Sequence, residues 1–598
     1  MSKKRYWRSL EELENTPEFQ AALAREFPDD DGDGEKTQDG TSRRHFLGLM
    51  GASIALSGVT GCVRRPVQHI RPYSKAPEDL VPGIAQHYAT GTHLAGRAVG
   101  LVVEAHEGRP TKIEGNPEHP QTFGGTTGVH QALVLNLFDP ARLKLPMKGD
   151  KASSWADALA GLKAQFDALK ANGGNGLVVL SESLPSPTAR NLRERFQAAY
   201  PGAKWFTYES VHDDNQRAGT IAAFGSPHVA VHRLNEARVV VSLDCDFLGA
   251  EGDVVLNSNL WARNRRLRSV EDKMSRLYAV EGVFSVTGTN ADHRLRVKSS
   301  EVESVVLALA AELAKDGQIV LPEDLKAQAK PTGKPALDKF VAALAKDLAA
   351  QRNGPGSLLL AGRRQSAVVH ATVAALNHVL GNNGRSVHYF PDHRRFEAEG
   401  GDMANIKAVT DLLNGGAVDT LLVLGVNPVY TAPGDLAFGD AFKKAKTKIA
   451  LAEYADETAR LADWALPKAH FLETWGDVVG TDGTVTIQQP TIQPIWGGKS
   501  EIELLALALG EAQTDGRELV REYWKKREGA VGFYKKWRTW LADGFSKQPF
   551  FGVTPSFKAP AGLGALQPSA PVAGLEVAFV ESLFLFDGRF ANNPWLLE

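Results

Sequence analysis

Two cysteines in 598 residues, Cys62 and Cys245, set the first limit on what chemistry this chain can do. An iron–sulfur cluster takes four thiolates, so the polypeptide cannot bind one by itself. One internal thiol also excludes an intramolecular disulfide framework. The sequence contains no HExxH, no nucleophile elbow and no paired CxxC. The other groupings weaken on inspection. His228 and His232 stand four apart, which suits a metal only on one helix face; no Glu sits beside either, and Pro227 precedes them. Gly497-Gly498-Lys499-Ser500 resembles the end of a phosphate loop, but Gln493 stands where the loop needs its first Gly. Gly173-Gly174-Asn175-Gly176 lies before a strand, as a turn would, and not after one as in a dinucleotide fingerprint. Asp29, Asp31, Asp33 and Gly34 fit the first half of a calcium loop, whose twelfth position is Gly40 in place of Glu. That stretch reads as an acidic spacer. Asp244, Cys245 and Asp246 end a strand at a crevice edge, where a lone Cys is more often a packed residue than a nucleophile.

The N-terminal region reads as an export leader. Thr41-Ser42-Arg43-Arg44-His45-Phe46-Leu47 has the twin-arginine pattern, with Arg43, Arg44, Phe46 and Leu47 as its recognition residues. The apolar stretch after it is too short and Gly-rich to span a bilayer, which takes about 20 apolar residues; it suits a signal region. Its end, Val59-Thr60-Gly61-Cys62, is lipobox-like and makes Cys62 a candidate for acylation. Before the arginines, Tyr6–Leu13 begins an amphipathic helix that Pro17 restarts and that runs towards Phe27.

The elements that would position any site lie further on. Ala98–Glu104 is a strand by its β-branched content, Gly108-Arg109-Pro110 a turn, and Thr111–Glu114 the return strand. Apolar strands recur at Gly176–Leu180, Ala237–Leu243, Ser357–Leu360 and Thr420–Leu424, separated by amphipathic helices such as Ser154–Lys170 and Thr188–Tyr200. That alternation predicts an α/β fold of several domains, with parallel sheets flanked by helices and a β-rich C-terminal part. The expected division is a leader over 1–62, a β-rich opening domain over 63–150, α/β domains over 151–330 and 331–470, and a β-rich tail over 471–598. Two sheets are expected, one before and one after the Pro/Lys-rich stretch at Pro331–Pro335. The net charge is −2, with no long Lys/Arg run in the body, so nucleic-acid binding has no electrostatic support.

Residues Glu104–Pro120 (EAHEGRPTKIEGNPEHP), Leu135–Leu143 (LNLFDPARL), Thr287–Val297 (TGTNADHRLRV), Leu422–Pro433 (LVLGVNPVYTAP) and Ala465–Gly476 (ALPKAHFLETWG) occur in that order. They resemble the molybdopterin oxidoreductase superfamily. The long leader ahead of the twin arginines makes the chain similar to the molybdopterin-like N-terminal half of a two-part component of alternative complex III, a membrane-bound quinol:electron-acceptor oxidoreductase. That resemblance implies a non-catalytic scaffold with no catalytic, cofactor-binding or metal-ligating residues. It implies a place on the periplasmic side of the cytoplasmic membrane, reached by twin-arginine export. The implied partners are an iron–sulfur ferredoxin-like half or subunit, a multihaem c-type cytochrome and integral-membrane quinol-binding subunits. The family runs on into the cluster-bearing half where this sequence ends at Phe584–Glu598, so the clusters are expected on a partner. The alternative is an active molybdopterin enzyme passing electrons to a separate iron–sulfur subunit. In the superfamily an early loop of the second domain supplies the metal ligand; Ser181-Glu182-Ser183 is the rough counterpart and reads as a cap or turn. Gly362-Arg363-Arg364-Gln365-Ser366 could offer backbone donors to an anion at a helix N-terminus, and reads as a vestigial pocket.

Overall fold

The computed structural model describes residues 14, 16–26, 81–352, 356–394, 400–548, 563, 566–568 and 573–598. Arg43, Arg44, Phe46, Leu47, Cys62 and the calcium-like loop lie outside the described residues. The chain divides into two units, Met1–Glu78 and Asp79–Glu598. In the first, helix α1 (Pro17–Glu26) starts where the proline restarts it, and Thr16 Oγ1 accepts the Phe19 N–H at 3.3 Å. Among the described residues no helix is long and apolar enough to cross a membrane.

The second unit opens with an antiparallel meander, β1 (Gln86–Leu94), β2 (Arg97–His106) and β3 (Arg109–Gly115). The β2–β3 turn is made by Glu107 and Gly108, both at positive φ. Next come β4 (Leu177–Ser181) and β5 (Lys204–Thr207), then β6 (Val239–Leu243), β7 (Arg276–Glu281), β8 (His293–Arg296) and β9 (Ser357–Ala361). The chain continues through β10 (Thr420–Leu424), β11 (Thr447–Ala452) and β12 (Trp464–Pro467), and closes with β13 (Gly476–Val479) and β14 (Val485–Gln488).

Two sheets are built around parallel strands. In one, the order β12-β11-β10-β4-β5 is extended at its β12 edge by the hairpin Met147–Lys148/Lys151–Ala152. In the other, the order is β8-β7-β6-β9. The two-residue side-chain period of a strand, with both faces covered, explains why the central strands are almost wholly apolar. Val179, Leu422, Leu424, Ile449 and Leu451 enter one core, while Val178, Leu180, Leu421, Val423 and Ala450 enter another on the opposite face. The second sheet divides likewise, with Val239, Val241 and Leu359 on one side and Val240, Leu358 and Leu360 on the other. Each such Val or Leu contributes about 1.5–3 kcal/mol by leaving water. The helices that cover the sheets are capped as their sequences dictate: Ser154 accepts from Asp157 N ahead of Trp155–Ala171, and Ser186 from Ala189 N ahead of Pro187–Ala199.

The α/β class and its parallel sheets agree with the sequence reading; the division at Pro331–Pro335 does not. Strand β9, beyond that stretch, pairs with β6 before it, and β4 pairs with β10 some 240 residues later. The β6–β9 region is therefore inserted between two halves of the larger sheet. Short apolar strands carry no local label for their neighbours, so composition placed the boundary where the chain is merely polar.

Candidate functional site

In an open parallel sheet, ligands sit beyond the carboxyl ends of the strands where the winding direction reverses. In the larger sheet that reversal falls between β4 and β10, and in the smaller one between β6 and β9. The loops at the first are Ser181-Glu182-Ser183 and Gly425-Val426-Asn427; at the second they are Asp244-Cys245-Asp246 and Gly362–Gln365. All three loops singled out from the sequence thus lie at switch points, though the two switch points differ in character.

At the β6/β9 switch point most polar groups pair with one another, although Arg363 Nε and Arg364 Nε and Nη1 are buried without a hydrogen-bond partner. Asp244, at φ 54, takes the Arg364 guanidinium at 3.2 Å, the Ser299 hydroxyl at 2.6 Å and Gln365 Nε2 at 2.9 Å. Glu251 accepts the Arg363 N–H at 2.7 Å, and Arg363 reaches Glu581 at 3.3 Å. Ser366 caps the next helix by accepting from Val369 N. A Cβ on Gly362 would overlap the Asp244 carbonyl, so this crossing closes only with glycine. Cys245 is buried there, and burial holds its thiol well above the ordinary value.

Beyond the β4/β10 switch point lies a cavity of about 530 Å³, within the range of small-molecule sites. Leu94, Val129, Leu133, Leu184, Phe471 and Trp475 supply its apolar wall. Glu182 projects into it from the end of β4. Lys468, from the loop after β12, meets Glu182 and Glu501 at 2.5 Å each. Burial alone would raise the Glu182 carboxyl; Lys468 and Arg589 outweigh it and hold it below the ordinary value. Gly425 sits at φ +72, and a Cβ there would collide with the Glu182 carboxylate. The neighbouring serines are structural: Ser181 Oγ accepts from Trp205 Nε1 at 2.9 Å, and the Ser183 N–H donates to Glu209 at 2.9 Å.

Three imidazoles lining the cavity carry a buried nitrogen without a hydrogen-bond partner, Nδ1 of His93 and Nε2 of His130 and of His470. Burial keeps all three rings neutral, lowering His93, holding His470 well below its ordinary value and bringing His130 down to about 4. Each therefore offers one hydrogen bond to a guest. A flat heterocycle with polar edges, such as a pterin, fits this combination of volume, apolar walls and unsatisfied ring nitrogens. The cavity's charge adds a constraint, because Lys468 and Arg589 are both already matched by carboxylates.

The other residues named from sequence hold structural places. His228 and His232 lie on a strand paired with Val387–Pro391, and the His228 ring contacts the Ser226 carbonyl at 2.8 Å. Ser500 caps Glu501–Leu509 in a capping box, and Gly173, Gly174 and Gly176 form a positive-φ turn. The sequence motifs act as brackets between elements. Arg142 and Glu473, from two separate motifs, form a buried two-pronged ion pair at 2.6 and 3.2 Å. Asn116 donates to the Asp543 carbonyl at 2.8 Å, and His119 pairs with Thr486 at 2.9 Å. Sequence reasoning missed His93, His130, Lys468, Glu209 and Arg589. Lys468 sits inside the Ala465–Gly476 motif, one residue past β12, and that position was the available signal.

A doubly wound α/β protein with a cofactor-sized cavity at a switch point is the class that fold and site define. The profile of the molybdopterin oxidoreductase family matches residues 142–508, and the chain belongs to that family. It is 26% identical over 599 aligned residues to the menaquinone reductase, molybdopterin-binding-like subunit, of Nitratidesulfovibrio vulgaris, covering 92% of this chain and 84% of that one. It is 22% identical over 429 residues to the probable oxidoreductase YyaE of Bacillus subtilis, covering 62% of this chain and 61% of the relative. Its fold is similar to that of acetylene hydratase from Pelobacter acetylenicus, with a TM-score of 0.55 and 15% identity over 73% of this chain and 71% of the other.

These findings overturn the expectation of a chain without a cofactor: the family and the named relative both point to molybdopterin. That expectation came from the resemblance to a molybdopterin-like half and not from the residues: scarcity of thiolates bears on iron–sulfur clusters and says nothing of a pterin, which is held by hydrogen bonds and shape.

Proposed function

We propose that this protein is the molybdopterin-binding subunit of a multi-subunit, quinone-linked oxidoreductase, of the kind represented by menaquinone reductase and alternative complex III. The observation that carries it is the switch-point cavity with its unsatisfied, neutral imidazoles, His93, His130 and His470. His93 and His130 would hold the pterin edge, and the apolar wall would exclude water from its faces. A bound molybdopterin supplies two-electron redox chemistry. The wall supplies proton acceptors: burial pushes Asp456 up to about 6 and raises Glu453, while Lys468 stays charged between its carboxylates. One body cysteine leaves onward electron transfer to a separate iron–sulfur subunit. A c-type cytochrome and membrane quinol-binding subunits complete the proposed assembly. The twin-arginine pattern at Arg43 and Arg44 supports export to the periplasmic side of the membrane, with Cys62 as the acylation site.

The test is metal analysis of the purified full-length protein, combined with fluorescence of its acid-released, oxidised pterin. Molybdenum or tungsten near one per chain together with pterin fluorescence is expected; protein lacking both refutes the reading.

A further inference from the structure

Beyond the residues matched by the family profile, the chain forms a helical hairpin with one aromatic face and one basic face. Its helices, Gly516–Glu528 and Phe533–Asp543, are joined by a turn that begins at Gly529 and ends at Gly532, both at positive φ. Leu519, Val520 and Trp524 of the first helix and Phe533, Trp537 and Trp540 of the second are buried in one core with the larger sheet. Trp524 meets Trp540 edge-on at 5.4 Å, and its Nε1 donates to Asp477 at 2.7 Å. That inner face fixes the hairpin to the body.

The outer face is basic. From Asp515 to Lys547 nine Lys and Arg stand against five Asp and Glu, a net +4 in a chain whose net charge is −2. Some of these charges pair locally, Lys525 with Glu522 at 3.3 Å and Lys536 with Glu528 at 3.1 Å. Among the described residues neither Lys526 nor Lys535 has an ion-pair partner, and Arg538 lies over the exposed Tyr534 ring at 5.9 Å. Helix stability does not account for the second lysine pair. Lys535 and Lys536 stand in the opening turn of Phe533–Asp543, where the helix dipole disfavours cations, and that turn has no acidic residue and no side-chain cap. Between the two helices the turn projects Val531, 97% exposed, with Tyr534, 67% exposed, just beyond it. Lys526 and Lys535 both lie within five residues of Val531.

We propose that the tip of this hairpin docks on an anionic lipid bilayer, with Val531 and Tyr534 entering the headgroup layer and Lys526, Lys535 and Arg538 meeting lipid phosphates. Tyrosine favours the membrane interface, and long lysine stems reach from an apolar contact to a charged one. Apolar contact and basic charge each bind weakly alone and hold together. The shape favours lipid over an acidic protein. A protein interface centres on a packed aromatic patch from which lysine is depleted, whereas here the apolar area is a single protruding turn ringed by lysines. None of these residues lines the cavity, so the surface stands whether or not the protein holds a pterin.

Co-sedimentation of the purified full-length protein with vesicles tests this, at about 0.1 M salt so that screening is moderate. One set of vesicles is phosphatidylcholine alone, and the other contains an equal share of phosphatidylglycerol. The wild-type protein should bind the phosphatidylglycerol vesicles more tightly, and added salt should weaken that preference. Lys526→Gln with Lys535→Gln should weaken binding to them about fivefold for each lysine neutralised. Val531→Asp should weaken it as well. Lys163→Gln with Lys407→Gln, at exposed lysines elsewhere, should leave it unchanged. Binding to phosphatidylcholine alone reads the apolar stretch before Cys62 and should be the same in both lysine pairs. Wild-type protein that binds both vesicle types equally overturns the proposal. So does a hairpin variant that binds as the wild type does, or equal weakening in the control pair. A hairpin lysine variant that keeps vesicle binding but loses its partner subunits on purification would assign the surface to an acidic protein and overturn the lipid reading.

Discussion

Replacing Lys468 with Met removes the ammonium that Glu182 and Glu501 share, each at 2.5 Å. Glu182 is almost wholly buried, with 6% of its side chain exposed, and Arg589 at 3.8 Å is its remaining cation. Breaking a buried ion pair by deleting one partner costs about 3–5 kcal/mol, because the surviving charge is left uncompensated. The residual attraction to Arg589 puts Lys468→Met near the lower end, about 3 kcal/mol. The pH dependence distinguishes this from simple loss of packing. In the wild-type protein Glu182 lies below its ordinary value, so its stabilisation is present above the unfolded value and is lost as pH falls through the folded one. Without Lys468 the carboxyl rises and takes up a proton in mild acid, which relieves the buried charge. Urea unfolding at about pH 8 should show the full loss, and at about pH 5 a much smaller one. Adding Glu182→Gln to Lys468→Met should recover part of the loss at the higher pH, giving the coupling of the pair. A loss below about 1 kcal/mol, or the same loss at both pH values, would refute the reasoning.

Arg142→Met should cost about 3–5 kcal/mol of unfolding free energy; pairing it with Glu473→Gln should restore only part, since Glu473 also accepts the N–H groups of His470 and Ile495. Burial raises both Glu209 and Glu251 to about 7, so each favours the folded state below the usual glutamate value and loses that contribution as pH rises through about 7. Chemical-denaturation scans should accordingly show stability contributed by these groups falling between about pH 4.5 and about pH 7, and a smaller fall in Glu251→Gln. Cys245, buried with its thiol held protonated, should resist iodoacetamide in the native protein and react once urea unfolds it, as peptide mass mapping would show.

The strands were legible because a two-sided parallel strand has to be apolar along its length, as Leu177–Leu180 and Leu421–Leu424 are. The loops at both switch points were legible for the same reason, since they come directly after those strands. Pairing was not legible, because nothing in Leu177–Ser181 distinguishes Thr420–Leu424 from Val239–Leu243 as a neighbour. The cavity's working groups were hidden for a related reason. His93 sits near the end of β1, Lys468 inside a motif with no evident charge partner, and Arg589 about 400 residues from Glu182 in sequence. Their importance comes from the lack of water around them, which only the packed structure reveals. Cysteine scarcity spoke only to clusters, and the cofactor-free expectation, drawn from the resemblance, had no residue behind it.

The pairing of β4 with β10 also constrains how the molecule can be made. When a ribosome has released β4 and β5, the strand that will flank β4 on its inner side is still some 210 residues from being translated. Until it emerges, a wholly apolar strand edge stands open, and such edges recruit other chains. Assembly of the larger sheet must therefore wait for nearly the whole polypeptide, and any machinery that handles this protein before β12 is complete meets a chain needing shelter rather than a finished half.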